Sequence, residues 1–124
     1  MLILVTGSRG WTDARKVERE IFRALYEAKT PHREALLIHG ACPTGADAQA
    51  DRYAISTGMN VRRFHADWDR HGTRAGYLRN AAMVARVPDI CLAFILDGSR
   101  GASMTATLAE TAGIETRRFT ACTE

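Results

Sequence analysis

Ile90-Cys91-Leu92-Ala93-Phe94-Ile95-Leu96 is the longest apolar run in the chain, and it empties into Asp97-Gly98-Ser99-Arg100-Gly101-Ala102-Ser103. Seven apolar residues without alternation read as a strand covered on both faces, as in the interior of a parallel sheet. The same grammar occurs twice upstream. Met1 to Val5 is apolar and stops at Thr6-Gly7-Ser8-Arg9-Gly10. Ala35 to His39 is apolar and is closed by Gly40, ahead of Ala41-Cys42-Pro43-Thr44-Gly45-Ala46-Asp47. Val61 to Phe64 and Glu115 to Phe119 supply two further strands.

Helical periodicity fills the intervals. Asp13 is placed to cap a helix whose apolar positions Val17, Ile21, Ala24, Leu25 and Ala28 share one stripe, and Thr30-Pro31 ends it. A second helix runs from about Ala46 to Thr57, with Ala46, Ala50, Tyr53 and Ala54 on one face and Gly58 as its stop. His65 to Thr73 reads as a polar loop carrying Trp68. A helix from about Arg74 to Ala85 turns Ala75, Leu78, Ala82 and Ala85 inward, with Pro88 beyond its end. A last helix runs from about Ser103 to Ala112 and stops at Gly113, and Thr120 to Glu124 reads as a frayed tail. Strict alternation of strand and helix predicts a Rossmann-like three-layer α/β/α fold. Right-handed crossovers favour a five-stranded parallel sheet in the order 3-2-1-4-5. Ligands of such sheets bind outside the carboxyl ends of the strands, here at the crevice between strands 1 and 4.

Length and composition agree. The 124 residues suffice for one domain, 1–124, and 46% apolar with 25% charged residues is an ordinary globular balance. No apolar run approaches the roughly 18 residues of a membrane span, and the N-terminus lacks the regions of a signal peptide, so a cytoplasmic protein with no membrane partner is expected. Three cysteines without framework spacing fit a reducing compartment. A net charge of +3 allows an anionic ligand, and only Lys16 and Lys29 among 17 basic residues are lysines. Arginine favours bidentate recognition of phosphate, although a GC-rich coding sequence explains the bias equally well.

The three glycine-bearing turns fall on one edge of the predicted sheet. Glycine permits close approach of backbone to ligand, and the helix N-termini behind the turns offer free N–H groups to an anion. Gly7, Ser8 and Arg9, then Gly40 and Gly45, then Gly98, Ser99, Gly101, Ala102 and Ser103 are therefore candidate ligand-binding residues. Chain reversal alone also explains a glycine in any one of these turns. Neither the Walker spacing nor Gly-x-Gly-x-x-Gly occurs.

Among side chains, Asp47 is a candidate for ribose recognition or general-base chemistry, and equally for capping its helix. Arg79 and Asn80 sit mid-helix, where asparagine calls for a tertiary explanation. Arg9 is the better-placed phosphate ligand. Trp11 and Trp68 lie in loops near the same edge, and either offers a stacking surface or a cover for the core; Trp11 is taken into the candidate site. His39 ends a buried strand, as a core histidine or a ligand contact. Asp51 reads as a solvated or ion-paired side chain. His65 and His71 lack partners at metal-ligand spacing, so no metal site is expected.

At these residues the chain resembles the SLOG superfamily, which includes the Smf/DprA proteins and the LOG ("lonely guy") cytokinin-activating enzymes. More narrowly it is similar to the small stand-alone YspA-type, YpsA-related SLOG proteins of bacteria and phages. The resemblance is carried by Val5-Thr6-Gly7-Ser8-Arg9 with Asp13, His39-Gly40-Ala41 with Gly45-Ala46-Asp47, and Ala66-Asp67-Trp68. Ala75-Gly76 with Arg79-Asn80 and Met83, and Asp97-Gly98-Ser99-Arg100-Gly101, complete it, so that it spans Leu2 to Phe119. It implies a site for a nucleotide or a nucleotide-derived ligand such as an ADP-ribose-like molecule; no cofactor is required, and the phosphates of such a ligand can carry a divalent ion. It also implies a homodimer. LOG enzymes carry Pro-Gly-Gly-x-Gly-Thr-x-x-Glu after the fourth strand; here Ala102 stands at the threonine and Thr105 at the catalytic glutamate. The resemblance therefore favours a binding protein or sensor. A LOG-like hydrolase using Asp47 and Arg79, and single-strand nucleic-acid binding of the DprA kind, are the alternatives.

Overall fold

The computed structural model describes residues 1–123. Five strands form one sheet: β1 (Leu2–Gly7), β2 (Leu36–His39), β3 (Asn60–Arg63), β4 (Ile90–Leu96) and β5 (Glu115–Ala121). All neighbours are parallel, and the order is β3-β2-β1-β4-β5, as the alternation predicts. The unbroken apolar runs have their explanation in burial on both faces: Ile3, Leu4 and Val5 are fully buried, as are Cys91, Leu92, Ala93 and Phe94.

Period-two alternation sends these side chains to two cores. On one face α1 (Ala14–Glu27) and α2 (Gly45–Thr57) bring Val17, Ile21, Leu25, Ala50 and Ala54 onto Ile3, Val5, Leu92 and Phe94. On the other, α4 (Ala75–Val84) and α5 (Arg100–Thr111) bring Met83, Val84 and Ala109 onto Leu4, Ile38 and Cys91. A smaller cluster of Ala93, Ile95, Ala102 and Ala106 seats the start of α5 against β4. The helix ends follow the sequence signals. The Asp13 carboxylate accepts the Lys16 N–H at 3.1 Å, and Gly58 closes α2 with φ 82°.

Four local expectations need correction. Residues 65–73 are not an open loop, because Asp67 caps a one-turn helix α3 (Trp68–His71), accepting the Arg70 N–H at 3.1 Å, and a 3₁₀ turn (Gly72–Arg74) continues it. In α4 the inward stripe is Ala75, Asn80, Met83 and Val84, whereas Ala82 and Ala85 are exposed. Counting only apolar residues rotated that helix, because its buried stripe includes a polar side chain. The C-terminal segment is not frayed either. β5 continues to Ala121, and the Thr123 N–H and hydroxyl both donate to the Asp97 carboxylate at 2.9 and 2.7 Å. Glu124, the last residue of the expected tail, lies outside the described residues. Finally, α5 begins at Arg100 rather than Ser103, which places Gly101 and Ala102 in its first turn.

Candidate functional site

The parallel register pairs Ile3 with Ile90 through to Gly7 with Phe94. It therefore sets the turns after β1 and β4 side by side at the carboxyl edge. A cleft of about 710 Å³ opens there, walled by these turns, the turn after β2, the first turn of α2 and one side of α4. The two central turns are stitched together. The Leu96 N–H donates to Ser8 Oγ at 2.8 Å, and the Ser8 and Ser99 hydroxyls share a 2.5 Å hydrogen bond. Their mutual bond uses one hydroxyl hydrogen and leaves the other for a ligand. Ser8 is thus first a fastener between the turns after β1 and β4, and only jointly with Ser99 a donor to the cleft.

Asp47 projects from the first turn of α2 and is 6% exposed. Its Oδ2 accepts the Cys42 N–H at 3.3 Å, while the buried Oδ1 has no partner among the described residues. Burial pushes its carboxyl above the usual aspartate range, against the smaller pulls of His39, the Cys42 N–H and the Arg79 guanidinium. Of the described residues lining the cleft, Asp47 alone is acidic.

Arg79 is held across the cleft from α4. Its Nη1 donates to the Gly40 carbonyl at 2.5 Å and its Nε to Asn80 Oδ1 at 2.7 Å. This explains the mid-helix asparagine: Asn80 is a buried acceptor that orients the arginine. Burial pulls the Arg79 pKa below its ordinary value, and the positive charge of Arg9 adds to that pull. Arg9 is exposed at the cleft, and no carboxylate of the described residues pairs with it. Two guanidinium groups therefore share one cleft, an arrangement that invites an anion.

Gly40 owes its identity to Arg79. A Cβ there would lie 2.9 Å from Nη1 and 3.0 Å from Cζ of the guanidinium. Gly40→Ala should leave the melting temperature within about 5 °C of wild type, since a flexible side chain gives way at a cost of about 1 kcal/mol. It should nevertheless weaken anion binding at least tenfold by displacing Arg79, as titration calorimetry with a nucleoside monophosphate would read.

His39 is not at the cleft surface. It is 2% exposed, its Nδ1 accepts the Ala41 N–H at 2.9 Å, and its Nε2 meets Asp51 Oδ2 at 2.6 Å. Asp51 also receives Arg63 at 2.7 and 3.0 Å, and that pair above all keeps its carboxyl below the usual range. The network fastens α2 to β2 and β3 and fixes the turn after β2.

The structure gathers Gly7, Ser8, Arg9, Gly40, Asp47, Arg79, Asn80, Ser99, Gly101 and Ala102 around the cleft. It does not bring Trp11 there. That indole is 5% exposed, packs edge-on against Phe94 with centroids 5.5 Å apart, and donates Nε1–H to the Asp13 carbonyl at 3.0 Å. It borders instead a separate cavity of about 390 Å³ with Lys16, Arg118 and Phe119, whose cations are already paired to Glu20 and Glu110. Gly45 lies beneath the Ser8-Arg9 backbone, Gly98 faces outward in its turn, and Ser103 is occupied within α5, its N–H donating to the Ser99 carbonyl at 3.1 Å. Trp68, read above as a stacking surface or a cover for the core, lines the cleft, as do Cys42, Gly76, Tyr77 and Met83, which are not among the candidate site residues. The signal for Gly76 and Met83 was present: 76, 79–80 and 83 recur at helical spacing, one stripe of α4.

On α5, Thr105 is fully buried and donates to the Gly101 carbonyl at 3.1 Å, and Glu110 is tied outside by Arg118 at 2.8 Å. No carboxylate reaches the cleft from α5. Among the described residues, no cluster of three His, Cys, Asp or Glu side chains converges as metal ligands would, and no helix is long and apolar enough to cross a membrane.

Comparison with known proteins places this geometry in a lineage. The chain is 38% identical over 122 residues to the Gene 61 protein of Mycobacterium phage D29, covering 94% of each protein. No solved structure matches it. The family described as "YspA, cpYpsA-related SLOG family" matches residues 1–71, which carry β1 to α3 and with them Gly7, Arg9, Gly40 and Asp47. With a phage relative matched along nearly its whole length and a family match over more than half of its own, the chain belongs to the YspA, cpYpsA-related SLOG family.

Proposed function

We propose that the protein binds a nucleotide or nucleotide-derived molecule, a nucleoside phosphate or an ADP-ribose-like compound, and serves as a binding protein or sensor for it. One observation carries this reading: a buried, half-unpartnered Asp47 carboxylate faces the same cleft as the Arg79 and Arg9 guanidinium groups. A ligand that satisfies both must present hydroxyl donors beside an anion, and a phosphorylated ribose does so. Asp47 Oδ1 accepts a ribose hydroxyl, the arginines clamp phosphate, and the Ser8/Ser99 pair with the α5 N-terminus completes the anion cradle. A cleft of about 710 Å³ lies within the usual range for small-molecule sites.

The raised pKa of Asp47 favours a second reading, a hydrolase in which Asp47 exchanges a proton at an N-glycosidic or phosphate-ester bond. Thr105 buried in α5 and Glu110 paired with Arg118 away from the cleft weigh against the LOG form of that chemistry.

Native mass spectrometry of the purified protein, followed by analysis of released small molecules, separates the two. A nucleotide that co-purifies, or added ADP-ribose that raises the melting temperature and stays intact on incubation, supports binding. Saturation at about 100 times Kd adds about 2.7 kcal/mol of stability, well above detection. Conversion of the ligand moves the assignment to the hydrolase. No shift with any nucleoside mono- or diphosphate or with ADP-ribose sinks both.

A further inference from the structure

The charged half of the cleft is accounted for by Arg9, Arg79, Asp47 and the two serines. Its other wall is aromatic. Trp68 opens α3 and Tyr77 lies in the first turn of α4, and both border the cleft. They are 52% and 46% exposed, a large apolar area to leave in water on a chain that buries Trp11 at 5%. Neither ring is engaged with another aromatic ring of the described residues, unlike Trp11, Phe94 and Phe119, which stack among themselves.

The local structure holds Trp68 in place. Asp67 caps α3 immediately before it. Across the cleft wall, the indole lies against α4 at Gly76, where a Cβ would be in ordinary contact, 3.4 Å from Cη2 of the ring and 3.9 Å from Arg79 Nη2. The indole and the guanidinium of Arg79 therefore border the same patch of α4. A flat aromatic surface and a guanidinium in one cleft offer a nucleotide one contact for its base and one for its phosphate.

We propose that Trp68, flanked by Tyr77, is the platform on which the ligand's nucleobase stacks, so that the site selects base-bearing ligands over sugar phosphates of equal charge. This polarity rests on the nucleotide reading above: phosphate lies toward the turns after β1 and β4, and the base lies over α3 and the start of α4. Stacking on an indole tolerates any base, so the platform favours nucleotides as a class, with purines ahead by ring area.

The test compares adenosine 5′-monophosphate with ribose 5-phosphate, which lacks the base, by titration calorimetry on wild type, Trp68→Ala and Trp68→Phe. Wild type should bind the nucleotide at least tenfold more tightly than the sugar phosphate. Trp68→Ala should weaken the nucleotide roughly tenfold to a hundredfold and leave ribose 5-phosphate within twofold, and Trp68→Phe should restore most of the difference. Acrylamide quenching gives an independent readout, because only Trp68 of the two tryptophans is exposed to it, and adenosine 5′-monophosphate should shield it. Equal weakening of both ligands by Trp68→Ala would overturn the platform, leaving Trp68 a general shaper of the cleft. No change with either ligand would overturn it too. Wild-type protein that binds ribose 5-phosphate as well as the nucleotide refutes the platform alone, whereas wild type that binds neither of these, nor any other nucleoside mono- or diphosphate, nor ADP-ribose, removes the nucleotide reading and the platform with it.

Discussion

Gly45→Ala should cost about 3 kcal/mol or more and lower the melting temperature by about 10 °C, although it adds a single methyl group. Gly45 opens α2 with φ 74°, a conformation that costs an alanine about 1 kcal/mol. The larger part is steric. A Cβ there would overlap the Ser8 carbonyl oxygen and press on the Arg9 carbonyl, and backbone in the turn after β1 has no rotamer by which to escape. Gly98→Ala is the matched control: its φ is 63°, yet a Cβ would meet nothing within 4 Å. That variant should lose only about 1 kcal/mol, or about 4 °C. Thermal unfolding followed by circular dichroism reads both. Similar losses would show that the turn after β1 does not rest on α2. Because Ser8 and Arg9 belong to the cleft, Gly45→Ala should also disturb ligand binding in whatever fraction remains folded, whereas Gly98→Ala should not.

That contrast marks how far the amino-acid pattern alone reaches. The strand order followed from unbroken apolar runs alternating with helical stripes, because burial on both faces of a parallel sheet leaves no other composition for Leu2–Gly7 and Ile90–Leu96. The location of the site followed from glycines at three strand ends. What pattern could not separate was why each glycine is there. Gly40 makes room for a guanidinium 39 residues away, Gly45 for a neighbouring backbone, and Gly98 for its own turn. The same blindness misplaced Trp11. A tryptophan four residues beyond the end of β1 reads as a loop aromatic, but the chain folds back, the Trp11 N–H donating to the Ser8 carbonyl at 3.1 Å, and the ring drops onto Phe94. Trp68 carries the same composition signal and has the opposite fate, since α3 holds it at the rim. Distances between segments decide these cases, and no local window contains them.

Asp47 is where such long-range placement bears most on the proposed function, and Asp47→Asn should separate stability from binding in opposite directions. Two terms compete in the free protein. A carboxylate in the first turn of α2 gains about 0.3–1 kcal/mol from the helix dipole, while burying a charge with one oxygen unpartnered, in place of a neutral amide, costs about 1–3 kcal/mol. The second term is larger, so the neutral isostere should be as stable as wild type or about 1 kcal/mol more stable at pH 7.5. The pH dependence follows the same sign. The folded-state pKa of Asp47 is raised above its unfolded value, so the folded protein takes up the proton first. Wild type should gain stability as pH falls from neutral through that raised pKa toward the ordinary aspartate range, and the gain should be absent in Asp47→Asn. The comparison belongs above about pH 5, because Asp51, Asp97 and Glu110 have lowered pKa values and their contributions are lost only in more acidic solution. Binding should move the other way. Losing a charge-assisted acceptor for ribose costs about 1.5–3 kcal/mol, a tenfold to hundredfold weaker nucleotide. Melting curves of both proteins from pH 5 to 8, with and without adenosine 5′-monophosphate, read all of this together. If Asp47→Asn proved less stable at pH 7.5 and bound nucleotide normally, Asp47 would be a helix cap. A carboxylate kept short of partners in the free protein, and missed by the ligand when removed, is one the fold holds in reserve for binding.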